Sequence, residues 1–286
     1  MLAYTQSNPK SVRNAREAEK GFTLIELSIV LVIIGLIVGG VLVGQDLIRA
    51  AEVRATITQI EKYNTAVNTF RVKFNALPGD MASTTAATFG FTTRAGTVGQ
   101  GDGNGLIDGE AAASSLLQGG GETGLFWVDL SSSVGGNLID GGFTSATGVS
   151  TPSPANTGLG LYIPPAKLGR GNYIYVFNGN GSGVTSLAGY NWYGMANVSG
   201  IAAGVLTATG SVTVIQAYNI DKKVDDGYPL SGNVQAAYVS ASAIVQAAAS
   251  TASSTSCYDT SSTPNPYSIA TNNGAGGNCA LTFKFQ

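Results

Sequence analysis

Histidine is absent from the 286 residues, and charged side chains of every kind are scarce. Without histidine there is no Ser-His-Asp or Cys-His catalytic arrangement, no imidazole metal ligand and no histidine proton shuttle. Asp, Glu, Lys and Arg make up 11% of the chain and leave a net charge of −2. Because nucleic-acid binding needs a basic surface, no nucleic-acid partner is predicted. No pair of acids lies in a pattern typical of an apolar pocket either, so we expect no enzyme.

Glycine, in contrast, is abundant: the chain has 39, roughly twice average usage. Serine, threonine and asparagine are also frequent. This composition is typical of a β-rich, loop-rich extracellular body rather than a helical cytosolic enzyme. The length suffices for one large domain or two small ones.

A long apolar run begins near the N-terminus, after a polar leader at residues 1–21. The run extends from Phe22 to Gly44, long enough to cross a bilayer as a helix. The excess of Lys and Arg before it predicts that the N-terminus stays cytoplasmic. No small-residue cleavage site follows the run, as an ordinary secretory signal would require. On the apolar run alone, a plain signal anchor remains the alternative.

Glu26 is the one charged residue in this run. A carboxylate in a membrane span is costly, so it indicates a function. The polar leader, Gly21 and the FTLIE sequence at residues 22–26 together resemble the class III signal of type IV pilins and type II secretion pseudopilins. This resemblance implies that a prepilin peptidase cuts after Gly21 and that Phe22 becomes N-methylated. It also implies that Glu26 is required for assembly, by pairing with the α-amino group of Phe22 on a neighbouring subunit.

The resemblance also implies partners and a location. Before assembly, the chain would be a single-pass protein of the bacterial inner membrane, in contact with lipid, the peptidase and the inner-membrane assembly machinery. Afterwards it would lie in a periplasmic or extracellular helical filament of identical or other pilin-type subunits.

The helix is predicted to continue beyond the membrane as an amphipathic segment at residues 45–75. Its apolar residues recur mostly three, four or seven positions apart. They are Val53, Ile57, Ile60, Tyr63, Val67, Phe70 and Phe74. The LPGD sequence at residues 77–80 ends the helix. Many pilins have a proline where this chain has Val43. Without it, any unwound segment of the helix is expected near Gly39-Gly40 or Gly44. The alternative is that these glycines only allow close packing of helices.

Residues 76–286 form the predicted head, which makes the expected fold an α+β pilin fold: a long helix packed on an antiparallel sheet with Gly/Ser/Thr-rich loops. Alternating aromatic residues predict a strand at 172–177, with a partner strand at 190–198. A short helix is expected after Glu122, with Trp127 on the core. A second helix begins at Thr213, with a capping box in which Gln216 reaches back, and stops at Gly227.

Two acidic sequences are candidates for calcium. The first, at residues 101–110, carries Asp102, Asn104 and Asp108, but it departs from the EF-hand pattern. We interpret it as a turn-rich surface loop, with calcium binding as the alternative. The second candidate follows the helix after Thr213. Its carboxylates, Asp221, Asp225 and Asp226, either accept backbone amides in a turn, pair with lysines or bind calcium.

The two cysteines, Cys257 and Cys279, enclose a sequence rich in Ser, Thr, Asn and Gly. Such a loop is not expected to bury enough surface to hold itself. A disulfide would stabilise it by about 3 kcal/mol in an oxidising compartment. Two buried free thiols are the alternative. In pilins, a loop of this kind tends to be exposed on the filament.

Three functions therefore remain open. The first is a structural subunit of a type IV pilus or a pilus-like filament. The second is a pseudopilin of a type II secretion system. The third is a calcium-dependent adhesin that uses a pilin helix as its anchor, and a membrane-tethered carboxylate enzyme is the weakest variant of this last class. The sequence does not identify a ligand for the head.

Overall fold

The computed structural model describes residues 22–109, 120–144, 158–180, 184–202, 204–241 and 243–285. The chain divides into two compact units, Met1–Leu47 and Ile48–Gln286. Helix α1, Leu24–Phe74, contributes residues to both.

In the first unit, α1 is a helix without a buried side chain. Its most apolar 18-residue window has a mean hydropathy of 2.9 and is 0% buried. Within the described part of the chain, it is the helix with the length and composition to cross a membrane. Since burial of large apolar side chains stabilises a protein in water, a helix this apolar is expected to lie in lipid or against other helices.

In the second unit, α1 is amphipathic, as its sequence predicts. One face is buried over residues 53–74, whereas residues such as Arg54, Glu61 and Val72 on the other face are exposed. The helix ends after Phe74 because Asn75 adopts a left-handed backbone conformation (φ 51°). The LPGD sequence then turns the chain towards the head.

The main sheet has five antiparallel strands: β1 (Asn172–Asn178), β2 (Asn191–Ala202), β3 (Val205–Thr209), β4 (Val234–Gln235) and β9 (Leu281–Lys284). Strand β2 is at its centre. Strand β1 pairs along one edge of β2, from Asn172↔Asn197 to Asn178↔Asn191. Strands β9 and β3 pair with successive parts of β2, and β4 extends the sheet beyond β9. The two strands predicted from alternating aromatics are therefore neighbours, as expected.

Shorter elements surround this sheet. Strands β5 and β6 form an antiparallel pair, and β7 and β8 a parallel one. The additional helices are α2 (Ser83–Phe89), α3 (Glu122–Ser131) and α4 (Val214–Val224), with 3₁₀ turns at Leu159–Leu161 and Asn272–Gly274. The four short strands are β5 (Tyr238–Ser240), β6 (Ala243–Val245), β7 (Ala248–Ala249) and β8 (Tyr258–Asp259).

One core joins α1, α3 and the sheet. Tyr63 of α1 packs edge-on against Trp127 of α3, with ring centroids 5.0 Å apart, and lies 6.1 Å from Tyr193 of β2. Trp127 is fully buried, as predicted. The second unit is therefore an α+β body with an antiparallel sheet, consistent with the pilin fold.

Helix α4 departs from its predicted cap in one detail. The Thr213 side chain accepts the backbone N–H of Gln216, as an N-cap does. However, Gln216 does not reach back to the backbone as predicted. Its amide oxygen accepts the Thr213 hydroxyl (2.9 Å) and its amide nitrogen donates to Glu52 (3.1 Å). The tertiary contact with α1 has replaced half of the capping box.

Candidate assembly site and acidic clusters

The start of α1 holds the residues predicted to act in processing and assembly. Gly21 lies outside the described residues, and Phe22 is exposed. The Glu26 carboxylate accepts hydrogen bonds at Oε2 from the Thr23 backbone N–H and the Thr23 hydroxyl, both at 2.8 Å. The Thr23 hydroxyl oxygen in turn accepts the Glu26 backbone N–H at 3.3 Å. Thr23 and Glu26 thus form a reciprocal capping box at the first turn.

Thr23 is not among the residues predicted from the sequence, although the T-x-x-E spacing at residues 23–26 is a signal for this cap. The cap has a consequence for Glu26. Oε2 is engaged within the helix, while Oε1 accepts no hydrogen bond from the part of the chain that the structure describes. The carboxylate can therefore hold the first turn together and still accept a bond from an external cation.

The profile of the prokaryotic N-terminal methylation motif matches residues 16–42. This segment is a class III signal of the type IV pilin and pseudopilin type. The match includes Gly21, Phe22 and Glu26, so it confirms the resemblance read from the sequence. No curated protein and no solved structure matches the chain. The pilin-like assignment therefore rests on the N-terminal segment, and it points to a structural protein rather than an enzyme.

Two buried carboxylates, neither of them among the residues predicted from the sequence, organise the loop at residues 101–109. Asp80 accepts the backbone N–H groups of Gly103, Asn104 and Gly105 at 2.8–3.1 Å. Glu122, at the first turn of α3, accepts those of residues 101, 102 and 108 at 2.8–3.4 Å. Asp80 follows a Pro-Gly turn and Glu122 follows a run of glycines. Neither local sequence indicates that the carboxylate is buried.

These carboxylates and Asp102 lie close together. The Asn104 side-chain amide lies beside them and donates to Asp102 at 3.0 Å and to Asp108 at 3.1 Å. Oxygen atoms of Asp80, Asp102 and Glu122 are all within 4.8 Å of one another. Asp108 also accepts the Asn178 side-chain amide at 2.6 Å. Burial raises the pKa of Glu122 to about 8 and that of Asp80 to about 7, in spite of the backbone donors. Burial therefore disfavours the ionised form of both carboxyl groups near neutral pH.

The second acidic group follows the pattern expected of a turn. Asp221 is fully buried and accepts the Tyr267 hydroxyl at 2.7 Å and the Gly227 backbone N–H at 3.1 Å. Asp225 accepts the backbone N–H groups of residues 233 and 234, and Asp226 accepts that of Tyr228 (2.8 Å). The three carboxylates also lie within 4.8 Å of one another. Burial raises the pKa of Asp221 to about 7.

Cys257 and Cys279 are joined by a disulfide, and both are buried. The loop between the two cysteines buries more surface than its composition suggests. Tyr258 and Tyr267, which lie inside it, are buried, and the Tyr267 hydroxyl is bonded to Asp221 of α4. This burial comes from the two large aromatic residues of a loop that is otherwise mostly polar.

Proposed function

We propose that this pilin-like chain is a structural subunit of a type IV pilus or pilus-like filament, processed by prepilin peptidase after Gly21 and polymerised through its N-terminal helix. The observation that carries the proposal is the coincidence of the methylation motif with the apolar first half of α1, in which no side chain is buried. Large apolar residues along it are more than half exposed, including Leu24, Leu31 and Leu36. Lipid covers them before assembly, and neighbouring helices cover them in the filament.

The geometry of Glu26 supports a specific contact. After cleavage the α-amino group of Phe22 carries a positive charge. This group, on a neighbouring subunit, donates a hydrogen bond to Oε1 of Glu26. Because Oε2 stays on Thr23, assembly does not require the helix to lose its cap. In a medium of low dielectric the ion pair compensates the cost of placing a carboxylate among apolar helices.

The test is N-terminal sequencing and intact mass of the exported protein, together with variants at Glu26. We expect a chain that begins at N-methyl-Phe22. Glu26→Ala and Glu26→Gln should both be cleaved normally but fail to enter filaments. Gln can still accept a hydrogen bond from Thr23, so its failure would show that the charge matters and not the cap. Glu61→Ala, at an exposed position of the same helix, is the control. A chain that retains Met1, or normal assembly of Glu26→Gln, would refute the proposal.

A pseudopilin of a type II secretion system has the same type of N-terminal signal. The two assignments differ in where the filament ends. Antibody against the head should label long surface filaments on intact cells if the chain is a pilus subunit. Labelling only after the outer membrane is opened, with loss of protein secretion on deletion of the gene, would favour the pseudopilin.

A calcium-dependent adhesin on a pilin anchor is a candidate from a different class of function. The grouping of Asp80, Asp102 and Glu122 is the observation that favours it. A divalent cation would neutralise the repulsion among these carboxylates. Calcium is then expected to raise the melting temperature of the head by several degrees relative to EGTA, and Asp102→Asn should reduce the shift. Asp225→Asn tests the other acidic group in the same assay. An identical melting temperature in calcium and EGTA would remove this candidate.

A further inference from the structure

A cleft of about 540 Å³ lies beside the second half of α1, in the second unit. One wall is a single face of α1, which presents Ala55, Thr58 and Tyr63 to it. The other wall consists of the loops at residues 140–143 and 160–167. A volume of several hundred Å³ is typical of sites for small organic ligands. Nothing in the filament proposal uses this cleft.

The walls combine flat apolar surfaces with accessible backbone. Tyr63, Phe143 and Pro165 provide the flat surfaces. Gly142 and Gly160 face open space, since a methyl group built on either would meet no atom within 4 Å. Both glycines are also exposed, so solvent reaches their backbone. Such a lining suits a ligand with an apolar face and several hydroxyl groups.

The mouth of the cleft carries more positive than negative charge. Lys62 forms an ion pair with Asp140, and Lys167 is the second ammonium group in the lining. The pKa of Asp140 lies below its ordinary value, because Lys62 donates a hydrogen bond to it and because both lysines contribute positive charge. One carboxylate thus faces two lysines, so a ligand that brings a second carboxylate would balance the charge.

The cleft is rigidly built on its polar side. The buried side chain of Gln59 donates to the Tyr63 hydroxyl (2.9 Å) and to the Pro165 carbonyl (3.0 Å). Its oxygen accepts the Lys167 backbone N–H at 2.8 Å. One side chain therefore fixes the 160–167 loop to α1, which reduces the ordering cost that a ligand must meet.

Trp127 lies directly behind the aromatic wall. Its ring centroid is 5.0 Å from that of Tyr63 and 6.0 Å from that of Phe143. Its buried indole N–H has no hydrogen-bond acceptor among the described residues. A buried donor without an acceptor is unfavourable. Because Trp127 packs against two residues of the wall, its fluorescence is expected to respond to a ligand bound there.

We propose that this cleft binds an acidic sugar, a pyranose ring that carries a carboxylate. The ring's apolar face packs on Tyr63, Phe143 and Pro165, its hydroxyls bond to the glycine backbone, and its carboxylate lies between Lys62 and Lys167. A neutral sugar would leave Lys167 without a counter-ion among the described residues of the lining, since Asp140 pairs with Lys62. An acidic peptide would supply the charge but not the ring.

The first experiment uses tryptophan fluorescence of the full chain in detergent. The chain has 2 tryptophans, so Trp192→Phe makes Trp127 the only reporter. Glucuronic acid should change its fluorescence in a saturable way and raise the melting temperature of the wild-type chain, whereas glucose should bind at least about fivefold more weakly. Equal binding of the two sugars, tighter binding of an Asp-Asp dipeptide, or no saturable binding of glucuronic acid by either measurement would overturn the proposal.

Two variants with opposite expected effects make the test sharper. Lys167→Met should weaken glucuronic acid binding about fivefold, since one exposed charge pair contributes ~1 kcal/mol. Asp140→Asn should tighten it by a similar factor, because the competing carboxylate is gone. Lys284→Met, whose ammonium group lies over the Tyr190 ring outside the cleft, is the control and should change nothing. If Asp140→Asn fails to tighten binding or weakens it, the charge argument is wrong.

Discussion

A buried ion pair shows how single residues hold the head together. Arg94 and Asp129 each have side chains that are 0% exposed, and their closest atoms, Nη2 and Oδ1, are 2.9 Å apart. Asp129 also accepts the Gly79 backbone N–H at 2.7 Å, and Arg94 donates to the Gly79 carbonyl at 3.2 Å. The pair therefore fixes the turn after α1 to α3. An exposed ion pair would fix this turn less firmly, because water competes for both partners.

Arg94→Met is predicted to lower the free energy of unfolding by about 3–5 kcal/mol, because it leaves the Asp129 carboxylate buried without a counter-charge. Lys62→Met, which breaks the exposed pair with Asp140, should cost far less, because water screens both charges. Urea titration of the full chain in detergent, followed by the fluorescence of its two buried tryptophans, measures both. Similar losses for the two variants would contradict the argument from burial.

Buried carboxylates make the head sensitive to pH. The pKa of Glu122 rises from an ordinary 4.5 to about 8, chiefly because of burial. Between these two values the folded chain binds more protons than the unfolded chain. The free energy of unfolding therefore falls as the pH rises through this range, and it levels off above about pH 8. Asp80 and Asp221, each with a pKa of about 7, act in the same direction.

With divalent cations removed by EDTA, the head is predicted to lose stability between pH 5 and pH 9. The Glu122 carboxyl alone contributes about 4 kcal/mol of this loss, because its raised pKa spans about three pH units of the range at about 1.4 kcal/mol per unit. Glu122→Gln should make this decline shallower. The variant should also be less stable than the wild type at pH 5. In the wild type Oε2 of Glu122 accepts the Asp108 backbone N–H, whereas in the variant an NH₂ group, which is a donor, would face it. Melting curves across the range, with Glu61→Gln as control, test this. A stability that rises with pH would show that the carboxylates are ionised at lower pH than proposed.

At the scale of elements, one glycine decides how β1 and β2 pack. Gly194 of β2 is opposite Tyr175 of β1, and the tyrosine ring lies across the glycine. A methyl group built on Gly194 would lie 2.2 Å from the ring. This close approach lets the buried Tyr175 hydroxyl accept the Val239 backbone N–H at 2.8 Å, which links the sheet to β5.

Gly194→Ala is predicted to destabilise the head by about 1–3 kcal/mol through overpacking. Tyr175 cannot move aside without losing its bond to Val239. Gly160→Ala is the matched control, since the added methyl group meets open space there. Denaturant unfolding compares the two. A loss at Gly194 no larger than that at Gly160 would mean that the ring can move without cost.

The elements differ in how far the sequence specifies them. The exposed and buried faces of α1 follow from apolar spacing, and β1 and β2 follow from alternating aromatics, because each pattern is local. The β3, β4 and β9 strands depend on pairings between distant segments, and short sequences do not encode a partner. The same limit explains Asp80 and Glu122. Their role depends on backbone amides about 20 residues away in sequence, whereas the T-x-x-E cap at Thr23 was local and could have been recognised.

At the scale of the whole molecule, the two halves of α1 have different roles. No residue from Phe22 to Glu52 is buried, whereas nine residues between Val53 and Phe74 are. Six of the nine are large and apolar, and each contributes about 1.5–3 kcal/mol when buried. Their sum of about 9–18 kcal/mol is as large as the net stability of a typical domain. The second half of α1 is thus part of the head's core, and the first half is not.

Two truncations are therefore predicted to behave oppositely. The fragment 48–286 should be soluble without detergent, melt within a few degrees of the full chain and no longer bind lipid vesicles or enter filaments, because it retains the whole core and loses the apolar helix. The fragment 76–286 should not fold, because it lacks the α1 side chains that Trp127 and Tyr193 pack against. Near-ultraviolet circular dichroism and tryptophan fluorescence distinguish the outcomes. A cooperative melt of 76–286 would show that α1 only rests on a complete head; failure of 48–286 to fold would show that the apolar half of the helix contributes to stability through contacts that the burial of its side chains does not reveal.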